Sequence, residues 1–95
     1  MRIERSTDRD GMWIDVGAYI VSVQWHAHSS VYPHDGSNAE VAVFSDTSDD
    51  DHVLARIDGE QQVVAGVPMA AVLRFALALE SGATLQDAAA EHLKR

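Results

Sequence analysis

The stretch Tyr19–His28, with the sequence YIVSVQWHAH, is the clearest strand signal in this chain of 95 residues. Apolar and polar residues alternate along it, and a period of two residues is typical of a strand with one buried face. The apolar set is Val21, Val23, Trp25 and Ala27, and the polar set is Ser22, Gln24, His26 and His28. We therefore expect the chain to build its core on a sheet.

Weaker strand signals lie on both sides of this stretch. Ile3 and Arg5 begin only a weak alternation, Met12–Asp15 is a short candidate strand, and clearer strand signals cover Glu40–Ser45, His52–Ile57 and Glu60–Ala65. Two Asp-Gly pairs, Asp10-Gly11 and Asp58-Gly59, indicate tight turns, and the second lies between two strand signals as a hairpin turn would. The sequence thus predicts four or five antiparallel strands.

The hydrophobic period changes to that of a helix after Gly66. Pro68 suits the first position of a helix, and the apolar run that follows it to Leu79 predicts a helix that ends before Gly82. Residues 84–87 resemble a capping box and predict a second helix. Its apolar stripe consists of Leu85, Ala88, Ala89, His92 and Leu93. The predicted fold class is α+β: a four- or five-stranded antiparallel sheet followed by two C-terminal helices packed on it, in a single domain over residues 1–95.

Composition excludes several kinds of site and location. The chain contains no cysteine, so it has no disulfide and no thiolate metal site. The apolar run at 67–79 is interrupted by Arg74 and is too short to span a bilayer. The first residues carry acids and lack an apolar segment, unlike a signal peptide. We expect a cytoplasmic protein that binds no membrane.

Acidic residues dominate one part of the chain. The net charge is −8, and no Lys or Arg occurs between Arg9 and Arg56. The acids in that interval are Asp10, Asp15, Asp35, Glu40, Asp46, Asp49, Asp50 and Asp51. Such a balance disfavours direct contact with nucleic-acid phosphates. General adaptation to high salt would spread the acids over the whole chain, so their clustering favours a binding patch.

The acidic run after Asp46 does not have the spacing of a calcium loop. In an EF-hand register that starts at Asp46, Asp51 takes the place of the glycine and Ile57 that of the final glutamate. The sequence also lacks a Gly-x-Ser-x-Gly elbow and a phosphate-binding glycine loop. We therefore predict no enzymatic activity and no cofactor.

Histidines suggest an alternative function. His26 and His28 lie two apart on the predicted strand, so both project from one face, and His34 and Asp35 follow in the next loop. Imidazole and carboxylate groups together can hold Zn²⁺ or a similar ion. The competing interpretation is that the two strand histidines, with Ser22 and Gln24, form the solvated face of a strand.

The leading hypothesis is a protein-interaction domain. Carboxylates displayed on a sheet and its loops can occupy a site that evolved for phosphates, as in a nucleic-acid mimic, and they steer association with a basic surface. We predict a non-enzymatic inhibitor or regulator of a basic, nucleic-acid-handling protein, as an anti-defence or immunity-type protein would be. The predicted contact residues are Asp35, Glu40, Asp46, Asp49, Asp50 and Asp51.

The first helix allows a further interpretation. It is apolar over more of its circumference than a surface helix needs. One side of Pro68–Leu79 could therefore join a second copy in a structural homodimer, whereas the alternative is complete burial between the sheet and the second helix.

Overall fold

The computed structural model of the protein describes residues 1–7, 10–17, 19–26, 35–45, 53–54 and 63–93. Within these residues the chain forms strands first and helices last. The strands are β1 (Arg2–Arg5), β2 (Gly11–Asp15), β3 (Tyr19–Gln24), β4 (Asn38–Ser45), β5 (Val53–Leu54) and β6 (Val63–Pro68). The helices are α1 (Met69–Glu80) and α2 (Leu85–His92).

The first four strands form an antiparallel meander in the order β1-β2-β3-β4. The remaining edge of β4 is shared, because β5 lies opposite Phe44 and Ser45 and β6 lies opposite residues 38–42. β5 and β6 thus lie one after the other along the same edge of β4, so the six strands occupy five positions in the sheet. The predicted α+β arrangement, a five-stranded antiparallel sheet followed by two C-terminal helices, is confirmed.

The predicted hairpin turn at Asp58-Gly59 lies outside the described residues. The two strand signals beside it are represented by β5 and by the start of β6, and each of these pairs with β4. Backbone N–H and C=O groups in a sheet need partners, and β4 supplies them to both strands in turn. The last strand also continues to Pro68, beyond the predicted end at Ala65.

The alternation predicted for the central strand is present on its core side. Val21 and Val23 are completely buried, as are Ile14, Val41 and Val43. Cross-strand register places Ile14 and Val43 on either side of Val21, so the three side chains form one apolar row. Burying each such side chain stabilises the fold by about 1.5–3 kcal/mol.

The central strand is shorter than predicted in the described residues. β3 ends at Gln24. The next residue, Trp25, still donates its N–H to the carbonyl of Asp10 over 3.0 Å, which adds one bond beyond the paired residues of β2 and β3. The end predicted at His28 lies outside the described part of the chain.

A β-bulge in β6 makes the side chain of Val67 point towards the core. Between the pairs that Val64 and Val67 make with β4, two residues, Ala65 and Gly66, lie opposite the single residue Glu40. Gly66 has a φ of +69°, a backbone conformation that a residue with a Cβ adopts only at a cost. The extra residue turns Val67 towards the core, where it is 2% exposed.

α1 begins directly after this strand. Pro68 is the N-cap, so the helix starts one position later than predicted, at Met69. The proline has φ −57° and ψ 141°, which is extended backbone, and this conformation lets it end the strand. The N–H of Met69 has no partner within the helix and donates to the carbonyl of Ser37 over 3.1 Å.

The two helices are separated by a short turn with defined caps. Gly82, with φ +99°, follows the end of α1 as predicted. The N–H of Ala83 donates back to the carbonyl of Ala78 over 3.0 Å, as in a Schellman motif. Thr84 caps α2 by accepting a hydrogen bond from the N–H of Asp87 over 3.1 Å, which confirms the predicted capping position.

α1 packs on one face of the sheet and α2 packs against α1. The buried residues of α1 are Ala71, Val72, Phe75, Ala76 and Leu79, and those of α2 and its C-cap are Leu85, Ala88, Ala89 and Leu93. They join the strand valines in one apolar cluster. Neither helix within the described ranges has the length and apolar character that crossing a membrane requires.

The outer side of α1 keeps two leucines at the surface. Leu73 is 40% exposed and Leu77 is 55% exposed, one helical turn apart. Complete burial of this helix, one of the two interpretations of its sequence, is therefore not what the structure shows. The homodimer through Pro68–Leu79 stays a prediction.

Candidate binding surface

The sheet has a second face, on which neither helix packs. Cross-strand register arranges its side chains in two rows. One row consists of Glu4, Trp13, Ser22 and Ala42, and the other consists of Arg2, Asp15, Ile20 and Phe44. We call these residues the open face.

A groove of about 390 Å³ lies on the open face. Its lining residues are Arg2, Glu4, Trp13, Asp15, Ile20 and Phe44. The side chains of Trp13, Ile20 and Phe44 make its wall apolar, and Trp13 is 47% exposed. Apolar surface of this kind, bordered by charged groups, is typical of a site where another molecule binds.

The charged side chains of the groove are partly engaged by local contacts. Arg2 Nη2 donates to Glu4 Oε1 over 3.2 Å, and the N–H of Gly17 donates to Asp15 Oδ1 over 3.0 Å. The side chains of Arg2 and Glu4 are 75% and 59% exposed. An exposed pair of this kind contributes only about 0–1 kcal/mol, so a ligand can replace it at little cost. Within the described ranges, the second oxygen of each carboxylate has no partner and is available to a ligand.

Two of the predicted contact residues, Glu40 and Asp35, lie near the start of β4. Glu40 pairs with Gln24 across the sheet, opposite the bulge in β6, and is partly buried. Asp35 precedes the strand, and its Oδ1 accepts the N–H of Ser37 over 2.9 Å. The other predicted contacts, Asp46, Asp49, Asp50 and Asp51, lie outside the described residues. Their place relative to the groove stays a prediction.

Asp35 has a clear structural role in the turn before β4. The side chain and the backbone N–H of Ser37 both hydrogen-bond to its carboxylate and lower the pKa of Asp35 below its ordinary value of 3.8. A hydrogen bond to the ionised form favours that form. Between the two residues, Gly36 has a φ of +86°. This carboxylate therefore stabilises the turn and is exposed as well.

The predicted metal ligands are only partly within the described chain. His26 follows the end of β3 and is partly buried, and Asp35 is exposed in the turn before β4. His28 and His34 lie outside the described residues. Among the residues that are described, no three histidine or carboxylate side chains come together as a metal site would need. The metal hypothesis thus remains a prediction that rests on the sequence.

The interpretation of the polar residues of the central strand as a solvated face is wrong for Ser22. Ser22 was a member of the predicted solvated face, but it is only 8% exposed, and Gln24 is partly buried. Nε2 of Gln24 donates to Oγ of Ser22 over 3.2 Å. Register places Ser22 between Trp13 and Ala42.

Sequence reasoning missed the residues that form the groove. A signal for them was available, since Trp13, Ile20 and Phe44 occupy positions where the alternation calls for polar side chains. Each of them has a core residue beside it on its strand: Ile14 next to Trp13, Val21 next to Ile20, and Val43 next to Phe44. Apolar residues out of phase on three neighbouring strands predict an apolar surface on the face that is not in the core.

A second concavity, of about 500 Å³, lies where β6 meets the helices. Its charged and titratable lining consists of Arg74, Glu91 and His92. His92 Nε2 and Glu91 Oε2 are 3.8 Å apart. Among its described lining residues there is no tryptophan, tyrosine or phenylalanine, so it presents a less defined site than the groove.

The open face therefore has to be interpreted from its own chemistry: an apolar wall, an exposed indole ring and two carboxylates. Comparison with protein-family models, with characterised proteins and with solved structures finds no match for this chain.

Proposed function

We propose that this protein is a non-enzymatic interaction protein that binds the basic surface of another protein, one that itself handles nucleic acid. The observation that supports this most directly is the groove on the open face, where Trp13 is 47% exposed beside two carboxylates. Aromatic residues are enriched at protein interfaces, where they supply large contact areas. The two carboxylates Glu4 and Asp15 outnumber the single cation Arg2 in the described lining, which favours a positively charged partner.

The charge of the chain supports a basic partner. The net charge is −8, and the interval between Arg9 and Arg56 contains no Lys or Arg. Three strands that form the open face, β2, β3 and β4, fall within this interval. A field of one sign raises the association rate with an oppositely charged protein, by about 10- to 1,000-fold at low ionic strength. Surfaces that bind nucleic acid are positively charged, so a protein with a negative field attracts them.

A charge-neutralisation experiment tests the proposal. The protein is immobilised and exposed to lysate of its source organism, and retained proteins are eluted with steps of increasing salt. A variant carrying Asp49→Asn, Asp50→Asn and Asp51→Asn is run beside it. We expect a basic nucleic-acid-handling protein to be retained by the natural chain and to elute from the variant at lower salt.

A second variant controls for net charge alone. It carries Glu80→Gln, Asp87→Asn and Glu91→Gln, which remove the same number of negative charges from exposed positions on the helices. We expect this variant to retain the partner as the natural chain does. Equal weakening by both variants, or retention that is insensitive to salt, would contradict the proposal.

A further inference from the structure

The chain contains two tryptophans with neighbouring carboxylates, and one of them already binds a cation. The guanidinium carbon of Arg5 lies 5.1 Å from the ring centroid of Trp25. The same guanidinium donates through Nη2 to Asp10 Oδ1 over 3.4 Å. An arginine is thus shared between an aromatic face and a carboxylate, an arrangement in which both contacts are favourable.

Trp13 also has carboxylate neighbours in the groove, where the one cation among the described lining residues is Arg2, which Glu4 engages. Glu4 lies directly opposite it across β1 and β2, and Asp15 follows two positions later on the same face of β2. Such cross-strand neighbours have Cβ atoms about 4.5–5.5 Å apart, and positions i and i+2 of one strand lie about 6.5–7 Å apart. Within the described part of the chain no guanidinium lies over the Trp13 ring, although Arg2 reaches Glu4.

We propose that the groove binds an arginine side chain of the partner protein, with its guanidinium over Trp13 and directed at Glu4 and Asp15. The methylene stem of the arginine then lies along the apolar wall formed by Ile20 and Phe44. The inference rests on the proposed function and names the group that the groove recognises. The volume of about 390 Å³ lies within the range of pockets that bind small groups, which is about 300–1,000 Å³.

The charges of the groove distinguish this occupant from the alternatives. A purely apolar side chain would remove water from two carboxylates without replacing its hydrogen bonds, which is costly. An acidic side chain would be repelled by the two carboxylates, and the one cation in the described lining, Arg2, is already engaged by Glu4. Lysine offers a compact charge without a planar face, whereas the arginine plane stacks on indole and its fork reaches carboxylate oxygens.

Binding of a defined peptide tests the inference without a known partner. The probe is a capped five-residue peptide of alternating leucine and arginine, titrated into the intact protein while the indole N–H signals are followed by NMR. We expect the Trp13 signal to shift and to saturate, while the Trp25 signal stays in place. The same peptide with citrulline in place of arginine keeps nearly the same shape but has no charge and fewer N–H donors, and we expect its affinity to be lower by about tenfold or more.

Three variants assign the effect to the groove. Trp13→Thr lacks the reporting indole, so calorimetry follows its binding, and it is expected to show no saturable binding. Glu4→Gln combined with Asp15→Asn is expected to lower the affinity about tenfold. The matched control, Asp87→Asn combined with Glu91→Gln, removes the same charge from α2 and is expected to leave the affinity unchanged. Chemical denaturation of each variant verifies that it is folded.

Three results would overturn the inference: no saturable shift at Trp13 up to about 10 mM peptide, equal binding of the citrulline peptide, or equal weakening by the control on α2. None of these three results by itself contradicts the proposed function. If the partner is still retained and its retention still depends on Asp49, Asp50 and Asp51, the interaction function stands without the groove as its arginine site.

Discussion

On the covered face of the sheet Ile14, Val21 and Val43 are completely buried, whereas on the open face Trp13 exposes 47% of its surface. The same strands supply both sets of side chains, because successive residues of a strand point to opposite faces. The difference comes from the helices, which pack on only one face. Apolar area on the covered face therefore contributes to folding, while part of the apolar area on the open face can still be removed from water when a partner binds.

This contrast separates residues that hold the fold from residues available for binding. A core side chain has no surface left for a partner, so changing it acts on stability. A groove residue contacts the protein on one side only, so changing it acts mainly on recognition. The predictions below test this separation, beginning with the largest expected effect.

Two isoleucines provide a matched test of the faces. Ile14→Ala, on the covered face, should lower the free energy of unfolding by about 2–5 kcal/mol, because it leaves a cavity in a closed core. Ile20→Ala, in the groove, should cost about 1–2 kcal/mol, because the site is open to water and no cavity is enclosed. Urea denaturation followed by circular dichroism measures both. Equal losses would show that the open face is packed as tightly as the core.

The bulge in β6 offers a test at the level of the backbone. Gly66→Ala should lower the free energy of unfolding by about 1–2 kcal/mol, because a side chain at φ +69° meets its own backbone. The replacement should also disturb the bulge that places the side chain of Val67 in the core. Thermal unfolding monitors the loss, and a variant as stable as the natural chain would show that the bulge carries no strain penalty.

Fluorescence quenching compares the two tryptophans directly. In a Trp25→Phe variant the emission of Trp13 should be quenched readily, whereas in Trp13→Phe the emission of Trp25, which is 8% exposed, should be protected. Because the two carboxylates Glu4 and Asp15 border the groove, quenching of Trp13 by caesium ions should be favoured over quenching by iodide ions, when each is expressed relative to its quenching of free N-acetyltryptophanamide. Stern–Volmer slopes measure this difference, and a relative preference for iodide would contradict the negative field.

The smallest expected effect concerns the turn before β4. The folded state lowers the pKa of Asp35 through its hydrogen bonds to Ser37, so the carboxylate contributes stability above its ordinary pKa of 3.8. That contribution is lost as the pH falls through the lower pKa of the folded state. Asp35→Asn keeps an acceptor for Ser37 but does not titrate. The stability advantage of the natural chain over this variant should therefore shrink as the pH falls below about 4, which paired urea midpoints would detect.

Local signals in the sequence were sufficient for much of the fold. The alternation at Val21 and Val23 identified the central strand, and Gly82 and Thr84 marked where one helix ends and the next begins. These signals work because backbone conformation and end-group hydrogen bonds are decided by residues close in sequence. The length of β3 and the pairing of β5 and β6 with the same edge of β4 were not predicted, because hydrogen bonds to distant strands determine them.

The candidate site likewise depends partly on the sequence alone and partly on the tertiary structure. The sequence by itself determined the charge of the chain, its acidic interval, the antiparallel sheet and the two helices, since composition and periodicity belong to the chain before it folds. Only the tertiary structure brought Glu4 and Arg2 of β1 beside Trp13 and Asp15 of β2, and Ile20 and Phe44 beside them. It also packed α1 on the opposite face, with α2 against α1, and left this groove accessible. The register between strands and the side on which a helix packs depend on the whole core, because each is decided by how completely apolar area is buried.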